Sequence, residues 1–186
     1  MSGPLYHFFA ADHRRLDTFL QRAMTDAGVI EHAACAEFRA GLLRHIGMEE
    51  KILLPAVQRL RGGKPLAMAA KLRLDHGALA ALLVPTPTPT IIAALRTILG
   101  THNALEEGPG GLYECCERLV GTEAEALLAE LHAAPEVPVA PHADGPQVMD
   151  VVRRALTRAG YDSTLLDERH DDRARPGGAA AGKHRR

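Results

Sequence analysis

The chain carries the same arrangement of histidine and glutamate twice, at His45-x3-Glu49-Glu50 and at His102-x3-Glu106-Glu107. Residues four apart on an α-helix lie on the same face, with Cβ atoms about 5–6 Å apart. An imidazole and a carboxylate held in this way can bind one metal ion together, or the carboxylate can bridge to a second ion. The repeated pair therefore indicates a metal site on two helices.

A second motif is also repeated: Asp12-His13 precedes the first pair, and Asp75-His76 precedes the second. In a four-helix bundle, metal sites are built in the core from side chains on facing helices. The predicted metal ligands are therefore His13, His45, Glu49, His76, His102 and Glu106. This set suits two metal ions with two imidazoles each, bridged by the glutamates. Mixed imidazole and carboxylate ligands favour iron, with manganese or zinc as alternatives.

Other acidic residues near these motifs are less suitable as metal ligands. Asp12 and Asp75 directly precede a histidine, and adjacent residues do not share a helix face, so both are poor candidates for direct ligation. Asp17, one turn after the first histidine, is better placed as an accessory ligand or as a hydrogen-bonding partner of a ligand. Glu50 and Glu107 follow the predicted ligands by one residue, and we expect them to lie off the metal-facing stripe.

The elements that must position these residues are helices. Apolar residues at helical spacing and glycine- or proline-rich breaks predict four long helices, at about residues 4–28, 30–60, 65–83 and 90–107. Pro55 should kink or end the second helix. Short connections favour an all-α, up-down-up-down four-helix bundle.

Further helices are predicted after the bundle. One covers residues 112–119, a second begins at a capping box from Thr122 to Glu125, and a third begins near Pro146. We expect residues 1–133 to form the bundle with an accessory helix, 134–168 a linker and an amphipathic helix, and 169–186 a disordered tail.

Composition excludes several other classes of protein. The 186 residues are 46% hydrophobic with a net charge of −1, which gives no electrostatic footprint for nucleic acid. There is no apolar run long enough for a membrane span, and the first residues lack the features of a secretory signal. Three cysteines, two of them adjacent, do not suggest a disulfide framework. We therefore expect a cytoplasmic protein.

At these motifs the chain resembles the hemerythrin-like family, also called the HHE cation-binding domain, over about residues 4–120. The matching elements are Asp12-His13, His45-x3-Glu49-Glu50 with Leu54-Pro55, Asp75-His76, and His102-x3-Glu106-Glu107 with Leu112-Tyr113. The resemblance implies a four-helix bundle around a non-haem di-iron centre, with the six predicted ligands holding the irons. Members of the family bind or sense oxygen, handle peroxide or nitric oxide, or store iron.

One departure from the family pattern affects the expected function. Oxygen-carrying hemerythrins place two histidines one turn apart on the third helix, whereas Leu72 and Ala80 lie on either side of His76 in this chain. The resemblance therefore disfavours reversible oxygen transport and implies the broader HHE group. Tyr6 and Tyr113 could each donate a hydrogen bond near a bound ligand, and the sequence does not choose between them.

Three functions remain open from the sequence. The first is a di-iron protein that binds or senses oxygen or another small redox ligand, or handles iron. The second is a di-iron enzyme that decomposes peroxide or nitric oxide at the same centre. The third is a metal-free helical module that binds a protein partner whose identity the sequence does not give.

Overall fold

The computed structural model describes residues 3–167, and this part of the chain is all helical with no β-strand. The predicted all-α fold class is confirmed. The predicted disordered tail, residues 169–186, lies outside the described residues. The α-helices are α1 (Pro4–Arg22), α2 (His32–Met48), α3 (Leu54–Leu60), α4 (Ala69–Leu82), α5 (Pro89–Glu107), α6 (Leu112–Val120), α7 (Ala124–His132) and α8 (Pro146–Ala159). None of the helices within residues 3–167 is long and apolar enough to cross a membrane.

Helices α1, α2, α4 and α5 form the predicted bundle, with some ends shifted from their predicted positions. Helix α1 ends at Arg22 rather than at Gly28, because the following residues form a turn closed by a β-bridge between Met24 and Ile30. Gly28 has a φ of 77° in this turn, a conformation that glycine adopts without a steric penalty. Helix α5 begins where Thr88 caps it by accepting a hydrogen bond from the backbone N–H of Ile91.

The predicted interruption at Pro55 is present, but it takes the form of a π-helical turn from Glu49 to Leu53 that joins α2 to α3. Proline has no N–H to donate to the preceding turn, so the regular hydrogen-bond ladder cannot continue through it. Such turns occur frequently at functional sites. This one begins at Glu49, one of the predicted metal ligands.

The predicted capping box at the start of α7 is wrong. Thr122 lies within a 3₁₀ turn from Gly121 to Glu123, and the helix begins at Ala124 with no side-chain cap. The predicted C-terminal helix is present as α8, which packs against α4.

The core has two apolar layers, and the predicted metal ligands lie between them. One layer contains Leu16, Leu20, Phe38, Leu42, Leu79 and Ile98, with α8 packed on it. The other contains Leu5, Phe9, Met48, Leu53, Leu72 and Tyr113, with α6 and α7 packed on it. Each bundle helix contributes to both layers, and its polar motif falls at the junction.

Candidate metal centre

The six predicted ligands meet in the centre of the bundle. His13 comes from α1, His45 from α2 and Glu49 from the turn that follows α2. The others come from α4 and α5, so every helix of the bundle contributes. All six are buried, with at most 6% of the residue exposed in His13, His45, Glu49, His76, His102 and Glu106. Buried ionisable groups are costly unless they are paired or bind a metal.

The donor atoms form two groups, each compact enough to surround one ion. His13, His45 and Glu106 form the first group, and Glu49, His76, His102 and Glu106 form the second. Within the first group, His13 Nε2 lies 3.0 Å from His45 Nε2 and 3.3 Å from Glu106 Oε2.

Both glutamates reach from one group to the other with different oxygens. Glu49 Oε1 lies 3.6 Å from His45 Nε2, while its Oε2 lies 3.0 Å from His76 Nε2. Glu106 Oε2 faces His13, while its Oε1 lies 3.1 Å from His102 Nε2. A carboxylate that offers one oxygen to each of two positions has the arrangement of a bridging ligand.

Several polar atoms of the site have no hydrogen-bond partner, which suits a metal site. Glu49 Oε2, His76 Nε2 and Glu106 Oε1 are buried and make no hydrogen bond among the described residues. Buried polar atoms are normally hydrogen-bonded, so groups without a partner call for an explanation such as an ion. These three atoms belong to residues of the second group, and each is of a residue type that commonly binds metals.

The other ring nitrogen of each histidine faces a carboxylate from a neighbouring helix. His45 Nδ1 donates to Asp12 Oδ2 over 2.9 Å, and His76 Nδ1 donates to Glu50 Oε1 over 2.7 Å. His13 Nδ1 donates to Glu107 Oε1. His102 Nδ1 is nearest to Asp75 Oδ2, at 3.6 Å, which is longer than a hydrogen bond.

These four pairs connect the bundle helices in a closed ring, from α1 to α2, α4, α5 and back to α1. An ionised carboxylate can only accept, so the three hydrogen-bonded Nδ1 atoms, of His13, His45 and His76, carry protons and their Nε2 atoms face the centre. Metal-binding histidines are usually held in this way. The ring explains why each motif includes an Asp before one histidine and a second Glu after the other.

Two sequence expectations change here. Asp17 is neither an accessory ligand nor a partner of one, because it is exposed and accepts a hydrogen bond from Gln21. That prediction was wrong because the exposed face of α1 begins within one turn of His13. Glu50 and Glu107 lie off the metal-facing stripe as expected, but they contact His76 and His13.

The electrostatics follow from this close packing of opposite charges. Burial alone would lower the pKa of His45, but Glu49 and Asp12 raise it to about 10. Burial would raise the pKa of Glu49, but His45 and His76 hold it well below its ordinary value. For His102, Asp75 and Glu106 outweigh burial and raise the pKa to about 9. Without a metal, His45 and His102 are therefore positively charged and lie beside an ionised Glu49.

Of the two tyrosines considered from the sequence, Tyr113 is the one that reaches the centre. Its hydroxyl donates to Glu49 Oε1 over 2.7 Å and lies 3.2 Å from Glu106 Oε2 and from His13 Nε2. Burial and the two glutamates raise the pKa of this hydroxyl well above its ordinary value. Tyr6 instead packs its ring edge-on against Tyr113.

A cavity of about 160 Å³ adjoins the centre between α1, α2 and α5. His13, His45 and His102 contribute to its lining, together with Leu16, Asp17, Leu20, Leu42, Arg96, Leu99, Gly100 and Asn103. The cavity has room for more than one water-sized molecule. It is therefore the most direct position in the described structure from which a small molecule could contact the histidines.

Comparison with known proteins agrees with this geometry. Residues 5–108 match the hemerythrin HHE cation binding domain, which covers more than half of the chain and spans all six buried ligand candidates. The chain therefore belongs to the hemerythrin HHE family. No curated protein sequence and no solved structure matches it.

Proposed function

We propose that this protein is a non-haem di-iron protein that binds or senses oxygen or another small redox ligand, or handles iron. In this proposal His13 and His45 hold one ion, His76 and His102 hold the other, and Glu49 and Glu106 bridge them. The observation that carries the proposal is the division of buried donor atoms into two groups that share a carboxylate. Iron suits this mixed ligand set, with manganese or zinc as alternatives.

The surroundings of the site support a resident metal rather than a metal-free module. A bound ion would give a partner to the buried carboxylate and imidazole atoms that make no hydrogen bond. The carboxylate partners also turn the Nε2 atoms toward the centre, as metal binding requires.

Bound iron would supply the capacity to bind or reduce a small oxidant, and the protein would control how that oxidant reaches it. The adjoining cavity supports a small ligand such as oxygen, peroxide or nitric oxide, because four leucines form part of its lining and it adjoins three of the proposed ligands. A reducing cytoplasm is the proposed compartment. It agrees with Cys35, Cys115 and Cys116, which are free thiols.

The first test compares two histidines of the same helix. His45→Ala removes a proposed ligand, whereas His32→Ala changes an exposed residue at the start of α2. We expect the first variant to bind fewer irons per chain and the second to match the wild type. Equal iron contents in both variants would contradict the proposed ligand set.

The second candidate function is a di-iron enzyme that decomposes peroxide or nitric oxide. The cavity also supports this function, because an accessible ion can turn over substrate when a ligand position is open. To separate the two functions, the iron-loaded protein is mixed with excess peroxide or nitric oxide, and both substrate and iron absorption are followed. Many turnovers per chain support the enzyme. A stable adduct without turnover supports the binding or sensing function.

A further inference from the structure

Tyr113 contacts the proposed centre in a way that a simple hydrogen bond does not explain. Its hydroxyl oxygen lies within 3.2 Å of three proposed ligand atoms at once, Glu49 Oε1, Glu106 Oε2 and His13 Nε2. The hydroxyl can donate its proton to one glutamate oxygen, and its oxygen can accept from His13 when Nε2 carries a proton. The remaining contact, with Glu106 Oε2, needs a different reason.

Metal coordination supplies that reason. Ligand atoms bound about 2.1 Å from one ion at angles of about 90–110° lie about 3.0–3.4 Å from each other. The two histidine nitrogens of the first group are 3.0 Å apart, and His13 Nε2 is 3.3 Å from Glu106 Oε2. The Tyr113 oxygen lies 3.2 Å from two of the same atoms, which fits a further ligand of that ion. Its 2.7 Å contact with Glu49 Oε1 is shorter than this range and is a hydrogen bond in the metal-free protein.

The local fold holds Tyr113 firmly in this position. Helix α5 ends after Glu107, and a glycine-rich turn reverses the chain into α6. A Cβ atom on Gly111 would lie only 2.6–2.8 Å from three backbone carbonyl oxygens, so any other residue would force the turn to shift. The Tyr113 ring then stacks on Phe9, with centroids 4.8 Å apart and planes 7° from parallel.

We propose that the Tyr113 oxygen is a further metal ligand, bound as phenolate to the ion held by His13 and His45. The inference rests on the proposed metal centre and goes beyond the HHE match, which ends at residue 108. On binding, the O–H bond breaks, the proton leaves to solvent, and no electron is transferred. The first ion would then have one more protein ligand than the second.

The test uses the colour of ferric phenolate. The wild-type chain is loaded with ferric iron, its iron content is measured, and its visible and resonance Raman spectra are recorded. We expect a phenolate-to-iron absorption band, with enhanced tyrosine ring vibrations that shift when ring-deuterated tyrosine is incorporated.

The chain has three tyrosines, which makes the assignment complete. Tyr113→Phe keeps the stacked ring and removes only the oxygen, so it should retain iron and lose the band. Tyr6→Phe and Tyr161→Phe are the matched controls and should keep the band. If Tyr113→Phe cannot hold iron, the wild-type vibrations together with the two unchanged controls still assign the ligand.

Two results would overturn the inference. One is a wild-type protein that holds two irons but shows no tyrosine vibrations, which would make Tyr113 a hydrogen-bond donor to Glu49 only. The other is a band that persists in Tyr113→Phe. Both would leave the di-iron centre intact, whereas an iron content below about one per chain would remove the centre itself along with the inference.

Discussion

Replacing Asp12 by Asn should weaken metal binding, although Asp12 is not a proposed ligand. Asp12 Oδ2 accepts from His45 Nδ1 over 2.9 Å, and the carboxylate is 12% exposed. Removing such a partner of a metal-binding histidine costs about 10- to 100-fold in metal affinity, or about 1.4–2.7 kcal/mol. Asparagine keeps one oxygen acceptor without the charge, so we expect about tenfold for Asp12→Asn and a larger loss for Asp12→Ala.

The matched control is Asp17→Asn, the same chemical change on the same helix. Asp17 lines the adjoining cavity, but it is exposed and pairs with Gln21 rather than with a proposed ligand, so this variant should bind metal like the wild type. Asp12 also accepts from Arg15, but that ion pair has a partner that is 45% exposed and is worth less than about 1 kcal/mol. Its loss would affect stability more than metal affinity.

The assay is competition between the folded protein and a chelator of known affinity, with zinc or ferrous iron as the metal. We expect Asp12→Asn to lower the affinity for the ion next to His45. The affinity for the second ion should stay closer to its wild-type value. The reasoning would be refuted if Asp12→Asn bound both ions like the wild type. It would also fail if Asp17→Asn weakened binding as much as Asp12→Asn.

Two further predictions concern pH and the turn that carries Tyr113. The neighbouring carboxylates raise the pKa values of His45 and His102 to about 10 and about 9 in the metal-free protein, although burial opposes this. That stabilisation is full below the ordinary pKa of about 6.5 and is lost as the pH rises through the folded-state values. The free energy of unfolding without metal should therefore fall between about pH 6.5 and pH 10. Metal affinity, measured by chelator competition, should rise over the same range. A rise in metal-free stability would contradict this. Gly111→Ala brings Cβ to 2.6–2.8 Å from three carbonyl oxygens and should lower the free energy of unfolding by about 1–3 kcal/mol in urea. In the control Gly77→Ala, the added Cβ has no atom within 4 Å, so the free energy of unfolding should rise by about 0.5–1 kcal/mol. Equal stability of the two variants would disprove the predicted strain at Gly111.

The four bundle helices could be predicted because their information is local. Apolar residues recur at helical spacing, and the paired motifs fall on one face of each helix. The structure brings all six predicted ligands into one buried layer. Their role as ligands remains a prediction, to be decided by the iron content of the variants.

The carboxylate partners could not be assigned in advance, because each contacts a histidine on a different helix. The spacing rule correctly placed Asp12 and Asp75 off the face of their neighbouring histidines, but it did not reveal that they face His45 and His102. That contact depends on how the helices are rotated against each other. The available signal was the repeat itself, since an Asp before one histidine and a second Glu after the other recur in both halves.

The position of Tyr113 and the exact ends of the helices also could not be predicted from the sequence. The sequence offered Tyr6 and Tyr113 equally, and only the tight turn at Gly111 brings one of them to the centre. Helix α1 ends at Arg22 rather than at Gly28 because the β-bridge between Met24 and Ile30 replaces its last predicted turn. Such tertiary contacts override local propensity.

The most direct test of the central claim is the metal content of the protein purified without added chelator. The account predicts two ions per chain in the wild type, with iron as the main metal, and fewer in His45→Ala. A well-folded wild type with less than about one ion per chain, equally stable before and after chelator treatment, would contradict it.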